Sequence, residues 1–98
     1  MDNEPMIIFP LMGKKYDKIV ARLKTSKFLA CKPYWNVKLR KVYQTLQENK
    51  EPIIAFQRGY FSKTRVFAKV TSIEVVNGLD TDLRRDEDVY KLDFILLE

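Results

Sequence analysis

The spacing of apolar residues changes along the chain, from a helical period in the first half to strand alternation in the second. Apolar residues stand at i, i+3, i+4 and i+7 in two stretches: Tyr16, Ile19, Val20 and Leu23, and then Leu39, Val42, Tyr43 and Leu46. Such spacing places four side chains on one face of an α-helix. The first helix is predicted to end near residues 24–26. The second is predicted to begin with Asn36 as its N-cap and to end within residues 47–52.

Five further segments have the length and composition of β-strands. They are residues 6–9, closed by Pro10; 27–32, closed by Pro33; 53–57; 65–76; and 89–97. Their apolar residues alternate with other residues or fill a short continuous run, as in strands with a buried face. Residues 58–64 are predicted to form a loop, Asn77-Gly78 a turn, and residues 80–88 an acidic, irregular segment.

These elements follow the order β-α-β-α-β-β-β, which predicts the α+β class. Four or five strands in a chain of 98 residues are expected to curl into a small, partly closed β-barrel of about five strands with two helices at its side. A flat open sheet with one exposed face is the alternative. Because a chain of this length has room for one core, residues 1–98 are predicted to form a single domain.

Positive charge is concentrated in residues 14–50. This stretch contains eleven of the 18 lysines and arginines, and its only acidic residues are Asp17 and Glu48, in a chain whose net charge is +5. A small domain with its cations on one element attracts polyanions towards that side. The alternative is that the lysines only keep the helix surfaces hydrated.

The composition excludes several classes of site. The chain has no histidine and one cysteine, Cys31, which makes a zinc or transition-metal site improbable and leaves no base to activate the thiol. Cys31 is expected to be buried and inert within its strand. A lone thiol, an acidic start without a basic n-region and the lack of a long apolar run predict a soluble cytoplasmic protein. No cofactor and no metal are expected.

Two aromatic segments are candidate binding sites. Tyr34 and Trp35 lie beside Lys32 and Lys38, and rings flanked by cations are what the stacking of bases and the neutralisation of phosphates require. The alternative for Trp35 is a place in the core. The loop at residues 58–64 brings Arg58 together with Tyr60 and Phe61, although we favour a hairpin whose aromatic rings fold back onto a neighbouring strand.

The acidic segment at residues 80–88 contains five carboxylates that could in principle hold a metal ion. Arg84 and Arg85 stand between them, so we favour a solvated loop whose charges pair with each other.

The layout and two segments of sequence resemble the ASCH domains of the PUA-like superfamily. The segments are residues 16–25, Tyr-Asp-Lys-Ile-Val-Ala-Arg-Leu-Lys-Thr, and residues 65–73, Arg-Val-Phe-Ala-Lys-Val-Thr-Ser-Ile. The resemblance would span about residues 6 to 97. It implies a small β-barrel that binds RNA.

The ASCH signature, Gly-x-Lys-x-x-Glu-x-Arg, is mostly replaced in this chain. Its four defined positions are occupied by Arg22, Lys24, Lys27 and Leu29, so that only the lysine is kept. Some ASCH-like proteins are amidohydrolases of acylated cytidine that use a Lys, a Thr three residues later and a distant Glu. By this resemblance Lys24 would be the catalytic lysine, Lys27 occupies the Thr position, and Glu74 is the nearest candidate for the Glu.

The sequence therefore supports three hypotheses. The first is a nucleic-acid-binding module without enzymatic activity, for RNA rather than DNA, in which cations hold phosphates and aromatic rings stack on bases. Its predicted site residues are Lys24, Thr25, Lys27, Lys32, Tyr34, Trp35, Lys38, Arg58 and Tyr60. The second is a protein-interaction domain whose basic face binds an acidic partner. The third is a nucleoside amidohydrolase centred on Lys24.

Overall fold

The computed structural model describes residues 4–61 and 63–97. In chain order the elements are β1 (Ile7–Leu11), α1 (Gly13–Val20), β2 (Ser26–Ala30), α2 (Pro33–Gln47), β3 (Ile53–Arg58), β4 (Arg65–Asn77), a 3₁₀ turn at Gly78–Asp80, and β5 (Asp88–Leu96).

The five strands form one mixed sheet in the order β1-β3-β4-β5-β2. β1 and β3 run parallel, and the other neighbouring pairs are antiparallel. The sheet curls into half a barrel, so the predicted α+β fold with five strands and two helices is confirmed, in its curled form rather than the flat one.

The core lies between one face of this sheet and the two helices. It takes buried side chains from every strand and both helices: Ile7, Phe9, Leu11, Tyr16, Ile19, Leu29, Leu39, Val42, Ile54, Phe56, Ala68, Val70, Leu92 and Phe94. Phe56 is fully buried at the centre, with its ring 5.6 Å from that of Phe9 and 4.8 Å from that of Phe94. Burial of each such side chain contributes about 1.5–3 kcal/mol to the stability of the fold.

The first helix is shorter than its apolar pattern predicts. α1 ends at Val20, and Arg22 adopts a left-handed backbone conformation with φ of 61°. The amide of Leu23 then donates to the carbonyl of Lys18, which satisfies an end carbonyl of the helix. Leu23, predicted to lie on the apolar face, is consequently outside the helix and 78% exposed.

The second helix starts four residues earlier than predicted, with Lys32 in place of Asn36 as its N-cap. Pro33 is its first residue and Lys32 its N-cap, because proline has the backbone angle of a first helical residue and lacks only an amide that would be unpaired there. Asn36, predicted as the N-cap, instead accepts a hydrogen bond from the hydroxyl of Tyr90. β1 likewise continues through Pro10 to Leu11, as is possible in a strand at the edge of a sheet.

Candidate functional site

Three lysines from different elements come together around one carboxylate. Lys15 belongs to α1, Lys24 to the turn that follows it, and Lys27 to β2, and their charges act on one another or on Asp82. We refer to these four residues as the lysine cluster. Lys24 donates to Asp82 in an ion pair, and both side chains are partly exposed.

The strand register explains the position of Lys27. In the pairing of β2 with β5, Lys27 lies opposite Leu92, a fully buried core residue. Because paired residues project to the same side of a sheet, the stem of Lys27 leaves β2 on the core side. The result is a half-buried lysine whose ammonium group lies among other charges at the edge of the core.

Helical periodicity explains the position of Lys15. α1 buries Tyr16 and Ile19 against the sheet. With 100° between successive residues, Lys15 falls on one flank of this buried face and Asp17 on the other. Lys15 is close enough to Lys27 to affect its charge, whereas Asp17 pairs with Arg58 at 3.4 Å.

The electrostatics of the cluster are unbalanced. Burial, followed by the charges of Lys15 and Lys24, holds the pKa of Lys27 below its ordinary value, and Asp82 opposes this only in part. Burial raises the pKa of Asp82. The hydrogen bond from Lys24 and the charges of the three lysines lower this pKa by more than burial raises it, so the net shift is downwards. Among the described residues, neither Lys15 nor Lys27 has a carboxylate within 4.0 Å. An added anion would therefore relieve repulsion that Asp82 alone does not remove.

Arg58 packs over the first turn of α1, on the flank away from Lys27. A Cβ atom added to Gly13 would lie 2.8 Å from Nη2 of Arg58, so the guanidinium group occupies space left free by the glycine. Arg58 keeps half of its side chain in solvent. α1 thus lies between the lysine cluster and Arg58, with Lys14 and Lys18 on its outer face.

The β3–β4 loop exposes two aromatic rings beside Arg58. Tyr60 is 78% exposed and Phe61 is fully exposed. The buried amide of Gln57 donates to the carbonyls of Gly59 and Tyr60 at 2.8 and 3.1 Å, and it fixes the loop backbone with both rings outward. The expectation that these rings fold back onto a strand is therefore wrong. Ser62, in the same loop, lies outside the described residues.

The aromatic pair at the start of α2 divides between core and surface. Trp35 is half-buried and stacks on Phe9 with 5.5 Å between ring centroids, which favours the core alternative. Tyr34 is 61% exposed, packs edge-on against Trp35 at 4.8 Å and has the ammonium group of Lys38 5.3 Å from its ring centroid. Tyr34 and Lys38 line a shallow hollow of about 410 Å³ with Met6, Val37 and Lys41.

Thr25 and Lys32 contribute backbone contacts, and the residues of the amidohydrolase hypothesis have different partners. The carbonyl of Thr25 accepts from the amide of Phe94, which extends the pairing of β2, and the exposed Lys32 caps α2 through its carbonyl. Glu74 lies opposite Lys91 in the β4–β5 pairing and lines a groove against α2. Lys24, in contrast, pairs with Asp82. These contacts do not assemble the amidohydrolase residues at one place.

Cys31 is exposed, so the expectation of a buried thiol is wrong. β2 ends at Ala30, one residue earlier, and Cys31 belongs to the turn into α2. Its pKa is raised by desolvation and by the charges of Asp88 and Glu87, which keeps the thiol protonated. No three of His, Cys, Asp and Glu are grouped as a metal site in residues 4–61 and 63–97.

The acidic segment pairs only partly with itself. Arg85 approaches Glu87 at 3.4 Å, as expected, but Asp82 pairs with Lys24 outside the segment.

The part of the chain that the structure describes contains no helix long and apolar enough to cross a membrane.

Sequence reasoning missed Lys15 and the pairing of Asp82 with Lys24, and it named Phe61 in a candidate loop without including it among the predicted site residues. The helical position of Lys15 could be derived from the sequence, but nothing local connects Asp82 to Lys24.

No protein-family model, no curated protein and no solved structure matches this chain. Its function must therefore be inferred from the site itself.

Proposed function

We propose that the protein binds single-stranded nucleic acid across α1 and the two groups that flank it. The observation that carries this proposal is the lysine cluster, in which Lys15, Lys24 and Lys27 share Asp82 as their counter-charge. A phosphate supplies the missing negative charge and accepts hydrogen bonds from more than one amine. A backbone of successive phosphates can continue over Lys14 and Lys18 towards Arg58.

The exposed loop rings distinguish this ligand from a simple anion. Tyr60 and Phe61 stand in solvent, two and three residues after Arg58 in the chain. Flat rings beside cations suit bases attached to phosphates, and each stacked base is worth about 1–3 kcal/mol. An acidic protein would satisfy the lysines equally well, but it gives no comparable role to the two rings.

Preference for RNA, cytoplasmic location and membership of the ASCH domains belong to the same proposal. Preference for RNA and membership of the ASCH domains are supported by the resemblance of residues 16–25 and 65–73 and by the curled, partly closed sheet. Cytoplasmic location is supported by the lone cysteine of the chain. Amidohydrolase activity is not part of it, because Lys24 is paired with Asp82 and Glu74 lines a groove on α2.

The test is fluorescence anisotropy with labelled single-stranded RNA and DNA of one sequence, about ten nucleotides long. The K15A/K27A double variant removes two cluster charges, and the K41A/K50A variant removes the same charge from exposed positions in α2 and just beyond it. We expect saturable RNA binding that K15A/K27A abolishes or severely weakens and that K41A/K50A leaves nearly unchanged.

Salt dependence provides a second readout. If both lysines contact phosphates, K15A/K27A reduces the slope of log K against log salt by about 1.4, since each contact with a single strand contributes about 0.7. Equal losses in the two double variants would reduce the effect to unspecific attraction between lysines and polyanions. Tighter binding of DNA than of RNA would contradict the RNA assignment while leaving the site in place.

A further inference from the structure

β4 extends well beyond the strand that pairs with it on one side. β3 pairs with β4 only from Arg65 to Lys69, and the last contact on that side is the Val70 amide donating to the carbonyl of Pro52 at 2.9 Å. On its other side β4 pairs with β5 as far as Asn77. Residues 71–77 therefore have a neighbouring strand on one side only, and we call their free side the open edge.

The backbone groups on this edge can be assigned from the hydrogen bonds at its two ends. A register shift between Val70 and Ser72 changes the alternation of the strand, and the Gly78 amide donates towards β5, to Glu87 at 2.7 Å. Along a strand the backbone groups of successive residues point to opposite sides. Those of Gly78, Val76 and Glu74 therefore point towards β5, and the amides and carbonyls of Val75 and Ile73 point away from it. Among the described residues, no backbone hydrogen bond from another segment reaches them.

A groove runs between the open edge and α2. It has a volume of about 450 Å³ and continues into a second hollow of about 420 Å³, with Tyr43 and Ile73 lining both. Its apolar lining includes Leu39 from α2 and Val75 from β4, and Val75 is 58% exposed. The edge and the groove together form a trough with unpaired backbone groups on one side and apolar side chains on the floor.

The cation that α2 contributes to the lining of the trough is Arg40. The other two cations of α2, Lys38 and Lys41, line the separate hollow beside Tyr34, and α2 has no acidic residue. Arg40 lines the groove and has no carboxylate within 4.0 Å among the described residues. Glu74, on the other wall, lies opposite Lys91 in the β4–β5 pairing.

We propose that this trough binds an extended segment of a partner protein as a sixth strand of the sheet. Backbone groups of the segment pair with Ile73 and Val75, an apolar side chain enters the groove, and a carboxylate side chain meets Arg40. A row of unpaired amides and carbonyls is matched by an extended polypeptide and not by a nucleic acid backbone. A second copy of this chain is disfavoured, because pairing edge to edge brings two α2 helices without acidic residues close together.

The test uses a phage-displayed library of random linear peptides of about ten residues, the length of one strand. Selected peptides are synthesised and measured by fluorescence anisotropy and by ¹⁵N amide shifts of the full chain. We expect apolar residues at alternate positions with an acidic residue nearby, and amide shifts centred on Ile73 and Val75. Arg40→Gln should weaken binding only of the peptides that contain the acidic residue.

Val75→Pro is the decisive variant. It removes an amide that points to the open edge and has no backbone partner among the described residues, so the sheet should tolerate it. We expect about fivefold to tenfold weaker peptide binding, as for the loss of one hydrogen bond of about 1 kcal/mol or slightly more. Val75→Thr, which keeps the amide and the branched side chain, should change binding by less than about twofold.

Several results would overturn the proposal. They are the absence of any enriched peptide, equal binding by Val75→Pro, amide shifts on α1 in place of β4, and displacement of the peptide by labelled RNA. A dimer of the wild-type chain that Val75→Pro dissociates would assign the open edge to a second copy. Arg40→Gln provides a measurement that does not depend on the folding of the proline variant.

Discussion

Lys24 and Asp82 form an ion pair between residues 58 positions apart in the sequence, which joins the turn before β2 to the segment after the 3₁₀ turn. Their side chains are 31% and 41% exposed. A pair this open to solvent contributes only about 0–1 kcal/mol to stability. Its larger effect is electrostatic, because Asp82 is the carboxylate that offsets the charges of the lysine cluster.

Removal of this carboxylate should strengthen nucleic-acid binding. For Asp82→Asn we expect about two- to fivefold higher affinity for single-stranded RNA, since one repulsive charge near a phosphate costs about 0.5–1 kcal/mol in a hydrated site. Asp86→Asn is the matched control, because Asp86 accepts from Asn77 and does not affect the charge of Lys27. Anisotropy titrations of both variants check this, and lower affinity of Asp82→Asn would contradict the cluster as the phosphate site.

The lowered pKa of Lys27 predicts a pH dependence of binding. The ordinary lysine value is 10.5, and burial together with Lys15 holds the pKa of Lys27 below it in the free protein. A bound phosphate favours the charged amine. The affinity for RNA is therefore maximal below this lowered pKa and falls as the pH rises through it. Lys27→Arg stays charged throughout and should remove this fall.

The measurement is a series of titrations from about pH 7 to about pH 10.5 with a 2′-O-methyl oligonucleotide, which resists alkaline cleavage. The decline for wild type should begin below the range in which ordinary lysines lose their charge. Identical pH profiles for wild type and Lys27→Arg would show that the Lys27 amine does not contact the ligand.

Most of the fold could be predicted because the responsible signals are local. The spacing of Ile19 and Val42 with their apolar neighbours marks each helix, and alternation marks the later strands. The ends of the elements depend on single backbone conformations instead. Arg22 stops α1 in a left-handed conformation that more often belongs to glycine, and no periodicity reveals it.

The candidate site was only partly predictable for a related reason. Lys24 and Lys27 were identified from the concentration of positive charge and from the resemblance to the ASCH signature, but Asp82 reaches them through the folding of a distant segment. The outward rings of Tyr60 and Phe61 depend on the buried amide of Gln57, a polar residue that the alternation of β3 does not distinguish. Contacts between remote segments, and polar groups that must find partners inside, are determined by the tertiary structure.

The two loop rings, and not Trp35, should provide the stacking surface. Tyr60→Ala and Phe61→Ala are each expected to weaken binding of single-stranded RNA by about 1 kcal/mol or more, or roughly fivefold to tenfold, with little loss of stability because both rings are exposed. Tyr34→Ala, at an exposed ring on α2, is the control and should bind as wild type does. Retained affinity in the double loop variant would remove stacking from the proposal.

Trp35→Ala should act on stability instead. Its ring packs on Phe9 and on the edge of Tyr34, and loss of a large aromatic side chain from a core costs about 3–5 kcal/mol when it is fully buried. Trp35 is only half-buried, so we expect about 2 kcal/mol and a midpoint of thermal unfolding lower by about 8–16 °C. If the variant were as stable as wild type but bound RNA more weakly, Trp35 would be assigned to the RNA site and not to the core.

Two glycines should respond differently to the same added methyl group. At Gly78 a Cβ atom would lie 2.6 Å from the carbonyl oxygen of Arg85 and 3.0 Å from that of Glu87, and this backbone cannot move without disturbing the start of β5. At Gly13 the nearest atom is the flexible tip of Arg58, which can swing into solvent. We therefore expect Gly78→Ala to destabilise the fold by about 1–3 kcal/mol and Gly13→Ala to have little effect.

Urea unfolding of both variants provides the comparison, and RNA binding adds a second criterion. Gly13→Ala displaces Arg58 from α1, so it should weaken RNA binding by a few-fold at full stability, as the loss of one phosphate contact would. Equal stability of the two variants would contradict the close backbone packing around Gly78. Unchanged RNA affinity in Gly13→Ala would show that the position of Arg58 over α1 does not matter for the ligand, and it would confine the site to the lysine cluster and the outer face of the helix.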